Sequence, residues 1–311
     1  MERITVLKGG SSPEREVSLV SGAAIAKGLL EKGYEVTELD PADYSGLAPL
    51  IAKLTESRTE VVFLGLHGGS GENGQLQAAL ELNGFRHTGS DFQACALTMD
   101  KYVSKLLAQA EGIPVADWIL LRGDQLSDYA DPRDLEGITD KLGLPLIVKP
   151  NGSGSSVGIS KVEDISQLRE AVKDALRYGS STLLERFIPG RELTATILDG
   201  QALPLVEIKP FEGWYDYENK YIAGRSEYLA PAPVEETVTQ LIQSYAERLW
   251  QVFGLRGYAR IDFRYDGKKP WFLEVNTLPG MTPLSLTPMA AKAVGISFGE
   301  LVDRITRMAL Q

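Results

Sequence analysis

Arg260, Asp262, Glu274 and Asn276 are the side chains best spaced in this sequence to do chemistry together. They come from two stretches, ARIDFRY and WFLEVN, rich in β-branched and aromatic residues and separated by an Asp266-Gly267 turn signal. Side chains alternate between the faces of a strand. Arg260, Asp262 and Arg264 therefore leave one face of the first strand, and Ala259, Ile261, Phe263 and Tyr265 the other. In the second strand, strict alternation groups Phe272, Glu274 and Asn276, with Leu273 and Val275 opposite. Folding about Gly267-Lys268 brings Asp262 nearly opposite Glu274, and Arg260 nearly opposite Asn276. Facing carboxylates repel, so this pair calls for a cation. Asp262, Glu274 and Asn276 offer only oxygen, which suits a hard ion such as Mg²⁺ rather than Zn²⁺. A half-exposed hairpin with a polar outer face has the same pattern. The turn-rich NTLPGMTPLSL that follows favours a site, because such backbone can approach a ligand closely.

A second group points to phosphate. LPLIVKP reads as a strand ending in Lys149, and NGSGSSVG (residues 151–158) joins it to a further strand, ISKV. A P-loop joins a strand to a helix and places its lysine after the glycines. A glycine-rich flap between two strands instead resembles the cover that protein kinases lay over nucleotide phosphates. Small residues let backbone N–H groups face the phosphates, and Lys149 adds a point charge. A flexible hairpin loop is the plainer reading. Glu185, near the end of the strand STLLERF, is either a solvated strand end or an acceptor for a ribose or base edge. The polar and aromatic stretch DYENKYIAGRSE (residues 216–227) has the content of a lid.

These groups need a frame. The N-terminal third alternates strand and helix: strands at Ile4–Leu7, 34–39 and Val61–Leu64, and helices at about 14–32 and 47–57. That order implies a parallel sheet with helices on its faces. Ligands in such sheets gather at the carboxyl ends of the strands, where GGSSPERE and HGGSGENGQ lie. Glu14 could be a dipole partner for the helix it begins, or could bind a substrate ammonium. His67 could be structural, yet it stands beside Gly68-Gly69 at a strand end. Asp100 reads as an N-cap. Lys101 sits in the first turn behind it, where the helix dipole disfavours a cation, and this hints at another use. Further helices are read at 165–176, at 235–253, which is long and amphipathic, and at 297–310, which closes the chain.

Composition sets limits. The 311 residues suggest two or three domains. A net charge of −10 argues against a nucleic-acid or membrane surface as the main partner. The one cysteine, Cys95, excludes an intrachain disulfide, agrees with a reducing compartment and reads as a small buried residue. The N-terminus lacks the apolar run of a signal peptide, and no stretch reaches transmembrane length.

With Lys149, the flap, Glu185 and the Asp262/Glu274/Asn276 set in this order, the chain resembles the ATP-grasp superfamily. More closely it resembles the D-alanine–D-alanine ligases. GGSSPEREVSLVSG, HGGSGENGQLQ, TMDKYVSK, IVKPNGSGSSVGISKV, the NKY segment, YARIDF and LEVNTLPGMTPLSLTPMAA carry the likeness over nearly the whole chain. The resemblance implies an α/β protein, α+β overall, with an N-terminal parallel-sheet domain (1–89) and two ATP-grasp subdomains (90–184 and 185–311), ATP lying between the last two. It implies that Lys101 and Lys149 hold phosphates, that Glu185 and Glu192 serve the ribose and adenine side, and that Phe187 and Ile188 lie along the adenine. Asp262, Glu274 and Asn276 would bind two Mg²⁺, with manganese able to substitute. Arg260 and Gly280 would face the reacting carboxyl group, and Glu14, aided by the His67 loop, the first alanine's ammonium. Ser155, Tyr221 and Glu14 would close the lid, Lys220 would reach the γ-phosphate, and Ser285 with Leu286 would hold the second alanine's carboxylate. The implied function is ATP-dependent joining of two D-alanines for peptidoglycan precursors, by a cytoplasmic homodimer, with D-alanine preferred to D-lactate as acceptor. The flap departs from many members in carrying Asn-Gly-Ser-Gly-Ser-Ser where they place Arg or bulkier residues. Another amino-acid ligase, an ATP-binding regulator without turnover, and a kinase releasing a phosphorylated acid share parts of this pattern.

Overall fold

The computed structural model describes residues 2–124, 132–154, 157–211 and 226–311, with the side chains of 132–134 left aside. The N-terminal region alternates β1 (Arg3–Leu7), α1 (Arg15–Glu31), β2 (Glu35–Leu39), α2 (Leu47–Glu56), β3 (Val61–Leu64), α3 (Gln75–Leu82) and the short β4 (Arg86–His87). These strands form a parallel sheet in the order β2-β1-β3-β4. β3 is buried at every residue, as expected for a strand covered on both faces. The loops after β1 and β3 emerge side by side at the carboxyl end of the sheet, where Ser12 Oγ donates to the His67 carbonyl at 2.6 Å.

The middle of the chain begins with two consecutive helices, α4 (Phe92–Met99) and α5 (Lys101–Ala110). The sequence reading anticipated only the second. Asp100 caps it as expected, accepting from the Val103 N–H at 2.9 Å. Then come β5 (Trp118–Arg122), α6 (Pro132–Leu142), β6 (Leu146–Pro150), β7 (Ser160–Val162), α7 (Ile165–Ala175) and β8 (Ser181–Arg186). The sheet order is β5-β8-β6-β7, antiparallel throughout. Leu121, Leu146, Val148 and Leu184 of that sheet pack against Leu135, Ile138, Leu168 and Val172 of α6 and α7. The Gly/Ser segment therefore joins two paired strands, β6 and β7.

The last region contains β9 (Arg191–Leu198), β10 (Gln201–Ala202), β11 (Val206–Pro210), β12 (Ser226–Leu229), α8 (Glu236–Phe253), β13 (Tyr258–Tyr265), β14 (Pro270–Asn276), α9 (Leu286–Ala293) and α10 (Phe298–Leu310). Its sheet runs β12-β11-β9-β13-β14, with β10 paired to β9. α8 covers one face through Ile242, Ala246, Leu249 and Phe253, packed on Leu193, Ala195, Ile261 and Phe263. α10 joins a different core: its Leu301, Val302 and Ile305 pack with Ile4, Val6, Ile25 and Phe63. Tyr34 OH donates to Asp303 at 2.6 Å across the same contact. The two ends of the chain are thereby fastened together. Among the described residues, no helix is long and apolar enough to cross a membrane.

The β13–β14 hairpin holds one correction. Asp262 does pair with Glu274, and Arg260 with Asn276, but the register slips between Asp262 and Phe263. Phe263 pairs with Phe272, leaving Leu273 as the extra residue of a bulge. The slip turns Phe272 to the core face, away from Glu274, where it is fully buried and meets Phe263 edge-on at 6.2 Å. Strict alternation placed Phe272 with Glu274. The bulge separates them and brings Glu274 directly opposite Asp262.

Candidate active site

The site starts from α5. Lys101 and Lys105 are four residues apart and share one face of that helix. Both are buried. The flap strand is fastened to the same helix end. The Asn151 carbonyl accepts from the Lys101 N–H at 3.1 Å, Asn151 Oδ1 accepts from the Tyr102 N–H at 2.8 Å, and Asn151 Nδ2 donates to Asp100 at 2.9 Å. These bonds satisfy N–H groups that a helix start leaves open. The Lys101 side chain then reaches over to the Ser153 carbonyl at 2.5 Å and to Glu274 Oε2 at 3.5 Å. The cation that sat awkwardly against the helix dipole thus joins the flap to the β14 ribbon.

Lys149 and Glu185 lie diagonally on neighbouring strands, because Glu185 pairs with Ile147. Lys149 Nζ meets Glu185 Oε2 at 2.6 Å, and Lys105 Nζ meets Oε1 of the same carboxylate. All three are nearly inaccessible. Burial pushes the Glu185 carboxyl up, but Lys105 and Lys149 together hold it below its ordinary value. Burial lowers Lys105 to about 8, helped by Lys149 and opposed by Glu185. Lys101 is lowered as well, by burial first, with Glu274 opposing and Lys149 adding to the fall.

On the ribbon, Arg260 grips Asp262 through two hydrogen bonds of 2.8 and 2.9 Å, and Asn276 Nδ2 adds a third of 2.9 Å. Glu192 lies further along the sheet, opposite Arg264, and pairs with its guanidinium at 3.2 Å. Phe187 lies between two cations, with Lys161 at 5.0 Å and Arg264 at 5.8 Å from its ring. Ile188 is buried beside it.

The N-terminal loops supply the other wall. Glu14 stands at the N-cap of α1 without capping it. Its Oε2 lies where a side chain on Gly68 would begin, 2.5 Å from that Cβ position, and 3.6 Å from the Cβ position of Gly154 in the flap. Gly68 also has φ +67°, so its lack of a side chain is required twice. His67 is buried, with Nδ1 at 3.0 Å from the Leu278 carbonyl and Nε2 at 2.9 Å from Ser21 Oγ. A carbonyl only accepts, so Nδ1 carries the proton and Nε2 accepts from Ser21. Burial holds the imidazole neutral, down to about 4. Both ring nitrogens are occupied within the fold, so His67 supports its loop rather than reaching a ligand itself. Glu72, which sequence reasoning passed over, accepts from the Gly68 N–H at 2.9 Å. Burial pushes it up to about 7, with Glu14 next in effect. Lys105 was passed over too, although its spacing from Lys101 was the available signal.

Ser285 precedes α9 and is held by Thr282, whose N–H and Oγ1 lie 3.0 and 2.8 Å from its Oγ. Leu286 is the first residue of that helix and is buried. Gly280 lies against Ser285. An open helix start beside a serine hydroxyl suits a carboxylate. Ser155, Lys220 and Tyr221, with most of the lid segment, lie outside the described residues. A cavity of about 640 Å³ opens between the two N-terminal loops, bordered by Ser12, His67, Gly68 and the flap's Gly152 and Ser153. Cys95 is buried with its thiol pushed up to about 12, chiefly by burial, which leaves it inert.

This arrangement brings together three lysines, the Glu185 carboxylate that two of them hold, an acidic ribbon and an open helix start. Residues 107–307 match the family model described as D-ala D-ala ligase C-terminus. A D-alanine–D-alanine ligase of Actinobacillus pleuropneumoniae is 44% identical over 309 residues, covering 99% of this chain and 98% of the relative. The chain belongs to the D-alanine–D-alanine ligase family. Among solved structures, the Bacillus anthracis D-alanine–D-alanine ligase superposes with a TM-score of 0.87 at 32% identity, covering 100% of this chain and 98% of that one. A Bacillus anthracis D-alanine–D-alanine ligase complexed with ATP gives 0.85 at 30% identity, covering 100% of this chain and 98% of that one. This chain is accordingly an ATP-grasp ligase.

Proposed function

We propose that this enzyme joins two D-alanine molecules at the cost of one ATP, through an acyl phosphate, and so supplies a peptidoglycan precursor. The observation that carries the reading is the meeting of Lys101 with Glu274 at 3.5 Å, since it ties a phosphate-side lysine to the metal-side ribbon in one cleft.

The chemical difficulty is that a carboxylate must attack a phosphoryl group that is itself anionic. Lys101 and Lys149 would neutralise the phosphates, and Arg260 would orient the attacking carboxylate. Asp262, Glu274 and Asn276 fit magnesium by donor type, and their carboxylates are already faced by Arg260 and Lys101, as a site built around positive charge requires. When bound, two such ions would offset charge on the transferring phosphoryl group. Glu14 would hold the first ammonium, with the His67 loop shaping that pocket. Ser285 and the start of α9 would hold the second alanine's carboxylate, leaving its amine, once neutral, to attack the activated carbonyl. Arg260 and the Gly280 N–H would receive the oxyanion. Ser155, Lys220 and Tyr221 are assigned to closing the lid and to the γ-phosphate, which shields the acyl phosphate from water.

The same reading makes the enzyme a homodimer and places it in the cytoplasm, the latter in keeping with a single unpaired thiol. The deciding experiment is turnover with ATP, Mg²⁺ and D-alanine, followed by product identification. D-alanyl-D-alanine with one ADP and one phosphate is expected, with D-lactate a poor acceptor and chelation abolishing the rate. ADP release without dipeptide refutes the proposal.

A further inference from the structure

Lys105 has no part in the mechanism above, yet it is among the largest fully buried side chains in the molecule. Its ammonium is enclosed by Glu185, by the Phe272 carbonyl at 3.4 Å and by the Phe272 ring at 5.9 Å. At that depth it cannot itself reach a phosphate. Lys149 alone would neutralise Glu185, so a second lysine on the same carboxylate is surplus in charge. What it adds is geometry. Lys105 and Lys149 each take a different oxygen of Glu185, which fixes the plane and rotation of the carboxylate. Each carboxylate oxygen has two lone pairs, so each still has a direction open to another donor.

We propose that Lys105 is a positioning residue for nucleotide recognition. It holds Glu185 as an acceptor for the exocyclic amino group at the purine 6-position, and so sets a preference for a 6-aminopurine over a 6-oxopurine nucleotide. The proposal rests on the reading of this cleft as a nucleotide site with Glu185 on its adenine side, and it adds what aims that carboxylate. An amino group at the purine 6-position donates to a carboxylate. A carbonyl there presents its lone pairs to another acceptor and is repelled. Lys149 is the less permanent anchor, because its proposed duty is to the phosphates. Once these arrive, its ammonium is shared, and Lys105 alone keeps Glu185 in place. Its rooting in α5, one turn beyond Lys101, also links base recognition to the helix that carries a phosphate lysine.

The test is direct binding of ADP and GDP by calorimetry, without amino acid, to the full-length wild type and to K105M. Removing Lys105 leaves a one-to-one Glu185–Lys149 pair, so the variant retains a balanced interior. The expected result is ADP binding weakened about tenfold, the worth of one well-placed hydrogen bond to a charged group, with GDP little changed. K105M/E185Q should bind ADP no more weakly than E185Q alone, because Lys105 acts only through Glu185. Equal losses for ADP and GDP, unchanged ADP binding, or a full additional loss on the E185Q background each overturn the proposal. Should K105M not fold, K105Q is read in the same way: a smaller but ADP-selective loss supports it, and an equal loss or none overturns it. Wild-type protein that binds neither nucleotide refutes the underlying nucleotide reading. Wild-type protein that binds both equally overturns only the role of Lys105.

Discussion

Arg260 reaches along its own strand and takes both carboxylate oxygens of Asp262, at 2.8 and 2.9 Å. Two residues apart on one face of β13, they form a planar fork that leaves little freedom to either side chain. The side chains are only 14% and 7% exposed. Removing the guanidinium therefore strands a charge in a largely dry place. R260M is expected to lose about 3 kcal/mol of stability, near the low end for a broken buried pair because Asn276 still donates to Asp262. With Arg260 in its proposed role, turnover should fall on the order of 10²–10³-fold, the usual consequence of losing one oxyanion donor. R260M/D262N should regain much of the stability and none of the rate. Denaturant unfolding and steady-state turnover separate the two effects; recovery of both together would mean that Arg260 is structural only.

Two loop residues, the buried His67 and the half-buried Glu72, make stability depend on pH in opposite senses. His67 titrates near 6.5 in an unfolded chain and at about 4 here. Its neutral form therefore contributes stability that is complete above pH 6.5 and is lost as pH falls to 4, by about 3 kcal/mol. Glu72 moves from 4.5 to about 7, so the folded state favours its protonated form and gains stability as pH falls from 7 to 4.5. The two offset each other in mildly acid solution. H67N keeps a donor for the Leu278 carbonyl and removes the titration. Its unfolding free energy should fall less steeply than that of the wild type from pH 6.5 to 4. E72Q should be more stable than the wild type at pH 8, with the gain fading as pH falls from 7 to 4.5. Parallel pH profiles for wild type and H67N would show that His67 is not held neutral by the fold.

How far this site could be read from the sequence depended on the kind of signal. Polar side chains at alternate positions around a tight Asp-Gly turn specify which residues face one another, so Asp262/Glu274 and Arg260/Asn276 were legible. The bulge at Leu273 was not, because a one-residue slip inside an apolar run leaves the composition unchanged. The parallel N-terminal sheet was legible from its alternation of elements and from the uninterrupted VVFL run. The partnership of α10 with β1 and α1 was not, since only the folded chain brings Asp303 to Tyr34. Lys149 announced itself by ending a strand before a Gly/Ser segment. Lys105 looked like any helix lysine, and its meaning comes from Glu185, a residue 80 positions away.

Lys101 tests whether the flap and the ribbon work as one unit. Its ammonium is buried, bonded to the Ser153 carbonyl and 3.5 Å from Glu274. K101M removes the cation proposed to face the phosphates and also releases the flap from the ribbon. Truncating one member of a buried hydrogen-bonded charge pair costs about 2–5 kcal/mol, so ATP should bind at least roughly 30-fold more weakly. Because the flap loses an anchor, amide exchange at Gly152 to Gly154 should speed up even without nucleotide. A weaker ATP affinity with unchanged flap exchange would limit Lys101 to electrostatics.

Gly280 and Ser285 offer the narrowest test of the acceptor end. A Cβ on Gly280 would lie 2.8 Å from Ser285 Oγ, closer than atoms tolerate. Gly280 is not among the residues with positive φ, so alanine suits its backbone and only the contact opposes it. The hydroxyl can rotate away at little cost, but it then leaves Thr282, which now holds it through N–H and Oγ1. G280A should therefore fold with a loss of about 1 kcal/mol, keep its KM for ATP, and show a KM for the second alanine raised about tenfold. S285A should match that rise. The double variant should be no worse than either, because both changes remove the same positioned hydroxyl. If the effects multiply instead, Gly280 acts through its own N–H on the oxyanion, and the loss will appear in kcat rather than in the acceptor KM.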